Sequence, residues 1–350
     1  MRNISVILIF FLAFIASCID PLDVNIDREV NILVVEGAIT TQPGPHYIRL
    51  TISAKYGSIF DGFVRPIQKA KVIIRDSDGD NFKLIEVEGG SGVYATASDF
   101  LPVVGKSYTL LITTASGLEY TSLPEKINKA AEISELNAEF SKIPLVNGTF
   151  QTGLDVYASF QDDPEDKDFY MWKSNGTYQT ITFPENYLAR DPNGGPAVIP
   201  APKDCCKDCW VNELGDRSIR LLKDDNVNGN VISDLAAYVE DDGIRFADKY
   251  LIRIEQHSLT REAFQFFSLL RDQISINGDI FDPPPATLRG NMINLTNPDE
   301  NVIGYFRASD VSIDSLFLTK EMLLEPKPLE QIDDDCRTYN GGTSLKPDYW

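Results

Sequence analysis

The stretch Lys69–Phe82, KAKVIIRDSDGDNF, places a β-branched run ahead of Asp78-Gly79 and resumes alternation after it. Asp-Gly between two such runs is a strong short-range hairpin signal, because the pair accepts the backbone angles of a tight turn. Working outward, ILVVEGAIT (Ile32–Thr40) and HYIRLTIS (His46–Ser53) are further β-rich runs bounded by Gly and Pro. EGGSGVYAT marks another turn, and LPVVGKSYTLLITTASGLEYTS yields two last strands joined at Ser116-Gly117. Short strands at this spacing, with no helical period among them, predict a β-sandwich over residues 30–125. Gly105-Lys106-Ser107-Tyr108 looks like the strand entry of immunoglobulin-like domains, in which a tyrosine hydroxyl ties the corner to upstream backbone.

Leu123 to Ala131 reads as a linker, and residues 126–350 as a larger, β-rich second domain. Its strands include TGLDVYASF, DFYMWK and YLIRIEQHSL, separated by an acidic turn and by an irregular Pro/Gly-rich region from Pro184 to Asn212. One helix is expected, at about residues 259–276. Ser258 or Thr260 can cap it, Glu262 suits its positive end, and Ala263, Phe264, Phe267, Leu270 and Ile274 keep helical spacing. Asn277-Gly278 ends it. Around Asn297-Pro298-Asp299 two more strands follow. The expected fold class is therefore mainly β: an immunoglobulin-like sandwich, then a larger β-rich domain with one packed α-helix.

The chain opens MRNISVILIFFLAFIASC. Arg2 precedes an apolar run, Ile4–Ala16, that is too short for the roughly 20 residues a spanning helix needs. It reads as a signal peptide, residues 1–17. Ile15-Ala16-Ser17-Cys18 matches the bacterial lipoprotein pattern, with cleavage before Cys18 and a diacylglycerol on its thiol. Residues 18–29, with Asp20, Asp23, Asp27 and Glu29, form an acidic tether. Lipidation at Cys18 makes the membrane a partner through an anchor rather than a span.

The formal charge of −20, from 52 acidic and 32 basic residues, excludes a nucleic-acid binder, whose phosphates demand clustered Lys and Arg. Beyond Cys18 the cysteines are Cys205, Cys206, Cys209 and Cys336. An even number in an exported chain favours disulfides, at least one of which ties the C-terminal tail to the 205–209 loop. Which of the three takes Cys336 is not readable, and a four-thiolate zinc site is the lesser alternative, since adjacent cysteines fit poorly around one tetrahedral ion.

Catalytic signals are sparse. His46 and His257 are the two histidines, and each reads as serving its strand or loop. No GxSxG, HExxH, Walker or dinucleotide pattern accompanies them, and only an unmarked carboxylate pair would serve a hydrolase. No enzyme activity and no obligate cofactor are expected. Asp224, Asn226, Asn228 and Gly229 reproduce the D-x-N-x-N-G start of a calcium loop, but Leu235 stands where the bidentate Glu belongs. Calcium is thus the one cofactor candidate, with a plain hairpin turn as its alternative. Tyr178, Phe183 and Tyr187 are candidate aromatic binding residues, the alternative being packing.

Gly290-Asn291-Met292-Ile293-Asn294, Asn297-Pro298-Asp299 and Val302-Ile303-Gly304-Tyr305-Phe306 carry a resemblance, with the helix before them, VVEGAIT, DDPEDKDFY and the CC loop with its late cysteine. The chain resembles the domain-of-unknown-function lipoproteins of Bacteroidota encoded beside TonB-dependent outer-membrane receptors. The resemblance covers nearly the whole chain after the leader. It implies an outer-membrane lipoprotein facing the exterior, a non-catalytic accessory or binding component working with such a receptor in nutrient uptake. The alternatives are a surface adhesin or structural interaction protein and a carboxylate-dependent hydrolase. The family pattern supplies no binding residues to carry over.

Overall fold

The computed structural model describes residues 32–53, 65–145, 147–164, 168–192, 194–195, 197–216, 218–224, 229–276 and 288–350. The signal peptide, Cys18 and the acidic tether lie outside the described residues, as do Asn226, Asn228 and Asn277-Gly278.

The first body is built from β1 (Leu33–Thr40), β2 (Tyr47–Ile52), β3 (Arg65–Pro66), β4 (Lys71–Asp76), β5 (Asn81–Glu86), β6 (Val93–Ala95), β7 (Ser107–Thr113), β8 (Glu119–Ser122) and β9 (Glu125–Lys126). Their apolar residues alternate inward, and Leu33, Val35, Ile48, Leu50, Val72, Ile74, Leu110 and Ile112 meet in one core. The hairpin of β4 and β5 turns at Ser77-Asp78-Gly79, with Gly79 at φ 94°. Asp76 holds this turn: its Oδ1 accepts the N–H groups of Asp78 (3.0 Å) and Asp80 (2.9 Å), and its Oδ2 takes Lys106 Nζ at 2.8 Å. Tyr108, just beyond Lys106, accepts the Val103 N–H on its hydroxyl at 2.8 Å, as its strand entry predicts.

The second body comprises β10 (Ile133–Pro144), β11 (Phe150–Gln161), β12 (Phe169–Ile181), β13 (Leu188–Arg190), β14 (Val198–Pro200), β15 (Asp208–Leu214), β16 (Arg220–Lys223), β17 (Val231–Glu240) and β18 (Lys249–Ser258), then α1 (Arg261–Ile274). The sheet β10-β11-β17 packs against β15-β12-β18, and Leu154, Val156, Phe160, Tyr170, Trp172, Ile252 and Ile254 fill the space between. β12 is apolar on both faces at its start because each face is covered. Tyr170 and Trp172 enter this core, while Phe169 and Met171 meet α1. Thr260 caps α1, its Oγ1 accepting the Ala263 N–H at 3.2 Å. Phe264 packs on Phe169, with ring centroids 5.0 Å apart.

The boundary expected near residue 126 does not hold for the last strands. β19 (Met292–Asn294) pairs with β8, and β20 (Ile303–Ser309) runs parallel to β1, so both belong to the first sheet. Phe306 and Ala308 complete the first core. A hydrophobic strand pattern reports that a strand forms, not which distant edge it joins, and so these two strands were placed with their sequence neighbours. Their separate edges are braced by Asn291, which donates from Nδ2 to Phe306 O (2.7 Å) and accepts the Phe306 N–H on Oδ1 (2.9 Å). Gly290 has no room for a side chain here, since a Cβ would collide with the Gly304 carbonyl.

From β20 the chain enters β21 (Val311–Thr319), which pairs with β18 in the second body, with Asp310 alone between them. Asp310 accepts Thr41 Oγ1 (2.5 Å) and the Ala130 N–H (2.9 Å), while its N–H donates to Ser258 Oγ (3.0 Å). Asp310→Ala should lower stability by about 2–4 kcal/mol, the worth of two hydrogen bonds to a charged acceptor. Calorimetry should also show the single transition broadening into two as the bodies uncouple. An unchanged single transition counts against this role for Asp310.

The Asp76 carboxyl sits below its usual 3.8, chiefly through the Lys106 hydrogen bond. Its folded value is the lower one, so the stability it adds is present above 3.8 and is lost as pH falls through the folded value. Asp76→Asn should flatten acid unfolding in that range, which equilibrium denaturation at stepped pH would read out.

Candidate functional site

Where the two bodies meet, they enclose a groove of about 630 Å³. Val104 and Gly105 from the first body form one wall, the linker Lys126–Glu132 forms the floor, and Gln161–Pro164 with Asp168 form the other wall. The linker is held to both sides. Asn128 donates to Leu259 O at 3.3 Å, its own carbonyl accepts Ser258 Oγ at 2.6 Å, and Asp310 takes Ala130 N–H. Lys126, Lys129 and Glu132 remain exposed and give the rim mixed charge.

The acidic end of the groove joins two stretches that the sequence leaves apart. Asp162, 2 % exposed, accepts the Gly229 N–H on Oδ2 at 2.9 Å, and Gln161 Nε2 donates to Gly229 O at 3.1 Å. Asp224, also 2 % exposed, donates its N–H to Asp168 O at 3.1 Å. Thus the calcium candidate Asp224 is tied through its backbone to Asp168. Its companions Asn226 and Asn228 lie outside the described residues. Burial pushes the Tyr170 hydroxyl well above its ordinary range, and Asp168, Asp162 and Asp224 add to that.

Behind the linker the seam buries polar side chains. Glu125 is 3 % exposed and receives three donors: Thr260 Oγ1 at 3.0 Å, Asn291 Nδ2 at 3.2 Å and the Tyr305 hydroxyl. Burial raises its pKa, and these three hydrogen bonds oppose that shift. Tyr305 in turn packs on Phe266, with centroids 5.0 Å apart, so one carboxylate joins the helix cap, the Asn291 brace and β20. The sequence reading missed Glu125 because its signal is only an acid next to a linker proline. Asn291 and Tyr305, by contrast, were already singled out among the residues carrying the resemblance.

Of the aromatic candidates, Tyr178 is corrected: it is 1 % exposed and stacks on Tyr250 at 6.0 Å, since strand alternation in β12 turns it into the core. Phe183 and Tyr187 stay half-buried. A lysine ammonium covers each ring, Lys207 at 5.4 Å from Phe183 and Lys203 at 3.9 Å from Tyr187. Among the cysteines, Cys209 pairs with Cys336 and Cys205 with Cys206, so none of the four offers a thiolate to zinc. Cys209 and Cys336 are both fully buried, with Cα atoms 5.6 Å apart.

A family model described as a domain of unknown function, DUF4249, matches residues 19–314. The chain belongs to this family. Among curated proteins, none matches it. The DUF4249 match takes in both bodies and the crossing at Asp310, and stops short of the tail that carries Cys336. In this DUF4249 chain the tail lies along β15, with Trp210 and Thr343 exchanging backbone hydrogen bonds of 2.8 and 3.0 Å. Replacing Cys209 and Cys336 together with alanine should cost about 4–5 kcal/mol in the chain-entropy account of so long a loop. Limited proteolysis should then cut the tail first, and a tail that stays resistant would refute the staple.

Proposed function

We propose that the chain is a lipid-anchored outer-membrane protein, tethered through Cys18 and facing the cell exterior. In this reading it is a non-catalytic binding or accessory component of a TonB-dependent uptake system. The observation that carries the reading is the groove: a concave surface of about 630 Å³ formed by both bodies, with a mixed-charge exposed rim. Ligand and partner surfaces concentrate at such junctions between rigid units. The braces at Asp310 and Glu125 keep the walls at a fixed spacing, which lowers the ordering cost of binding. A non-catalytic role is supported by the surroundings of the histidines: His46 packs edge-on to Phe100, and His257 Nε2 faces the Glu255 carboxylate at 3.5 Å.

An immunoglobulin-like reading of the first body is supported by its short antiparallel strands, in the order β8-β7-β4-β5-β6-β2-β1, and by the Tyr108 corner. A second role, adhesion, is favoured by the β13–β14 hairpin, where Leu188, Val198 and Ile199 are exposed.

The test is affinity capture of the tagged, lipidated chain from gently solubilised outer membrane, with mass spectrometry of what accompanies it. A stoichiometric β-barrel receptor is expected. Reversing the rim charges with Lys129→Glu and Glu132→Lys should reduce its recovery about tenfold, the effect of mutating rim charges at an interface. Capture of the chain alone would remove the uptake reading and leave adhesion.

A further inference from the structure

Lys173 on β12 stands opposite Glu255 on β18, and Met171 opposite His257, so these four residues share one face of the second sheet. Met171 of that face clusters with Tyr305 of β20. Arg307, two residues beyond Tyr305, lies on the same side of β20. The seam therefore brings Lys173, Glu255, His257 and Arg307 together from both bodies, with Lys173 exposed and the other three progressively covered.

Two of these groups are unusual. Arg307 is 2 % exposed, yet among the described residues its one side-chain hydrogen bond is Nη1 to Ser309 Oγ at 2.9 Å, and it forms no salt bridge. A guanidinium carries five N–H donors, and buried charges are ordinarily paired. His257 is 3 % exposed, its Nε2 faces Glu255 Oε2 at 3.5 Å, and its Nδ1 has no hydrogen-bond partner. Buried polar groups in folded proteins nearly all find partners. Here the planar cationic fork of Arg307 has one hydrogen bond for its five N–H donors, while His257 has the Glu255 carboxylate beside it.

The electrostatics agree. Burial, then the Arg307 charge, brings His257 down to about 3, so the ring is neutral and turns its one N–H toward Glu255. Lys173 is held down to about 8, first by Arg307. Burial lowers Arg307 to about 10, with Glu125 and Glu255 opposing from longer range. Two cations that depress each other are relieved by an anion placed between them.

We propose that this cluster is a binding site for one small oxyanion group, a carboxylate or phosphate, held by the Arg307 fork with Lys173 beside it. Guanidinium and oxyanion match in a bidentate geometry that an ammonium does not reproduce. The site stands apart from the groove and does not depend on the uptake reading.

The experiment uses the full lipidated chain in detergent micelles in chloride buffer, titrated separately with inorganic phosphate and with acetate, by calorimetry and by thermal shift. One of the two should bind with one-to-one stoichiometry and raise the melting temperature, and which one does so names the ligand chemistry. Arg307→Lys, which keeps the charge and loses the fork, should weaken binding about tenfold. Lys173→Met, at an exposed position that folding does not need, should weaken it about threefold and decides the matter if the Arg307 variant does not fold. No binding of either anion at tens of millimolar, or affinity unchanged in the variants, overturns the proposal and leaves the cluster to buried water.

Discussion

Between Ser309 and Val311 the chain leaves one sheet and enters another, and a single aspartate spans the passage. Asp310 takes a hydroxyl from the end of β1 and a backbone N–H from the linker, and gives its own N–H to the last residue of β18. Three segments remote in sequence are thereby fixed within hydrogen-bond distance of one residue. The parallel pairing of β20 with β1 and the antiparallel pairing of β21 with β18 both begin there, so the relative placement of the bodies follows from it.

The rest of the seam adds direction to this junction. Apolar burial alone would let the two β-rich bodies slide on each other, because it is not directional. Phe264, Phe266 and Phe267 of α1 provide that burial against Phe169 and Tyr305. Glu125 then restricts the fit, since a buried carboxylate that lost Thr260, Asn291 or Tyr305 would be left costly and unpaired. The same logic makes Arg307 stand out: among the described residues its guanidinium has one side-chain hydrogen bond, to Ser309.

A rigid seam has a consequence at the surface. The groove keeps its walls at a set separation because the linker forming its floor is bonded from both sides. At the far end of the second body, the Cys209–Cys336 bridge holds a tail that would otherwise add disorder to the loops around Phe183 and Tyr187. Binding surfaces on such a frame vary by loop and rim residues, while the frame stays constant.

The sequence by itself determined what depends on near neighbours. Asp78-Gly79 specified the β4–β5 hairpin, Thr260 and the spacing of Phe264 and Phe267 specified α1, and Gly105 with Tyr108 specified a strand corner, because turn angles, caps and side-chain period are local properties. It also carried, in Gly290-Asn291 and Gly304-Tyr305, the residues of the brace without saying what they brace. Only the tertiary structure decided that β19 and β20 return to the first sheet, that Cys336 meets Cys209, that Tyr178 is core, and that Asp162 takes the Gly229 N–H. Each of these joins residues far apart in the chain. Which partner wins depends on the burial and hydrogen bonds of the assembled whole, for which no local pattern is a proxy.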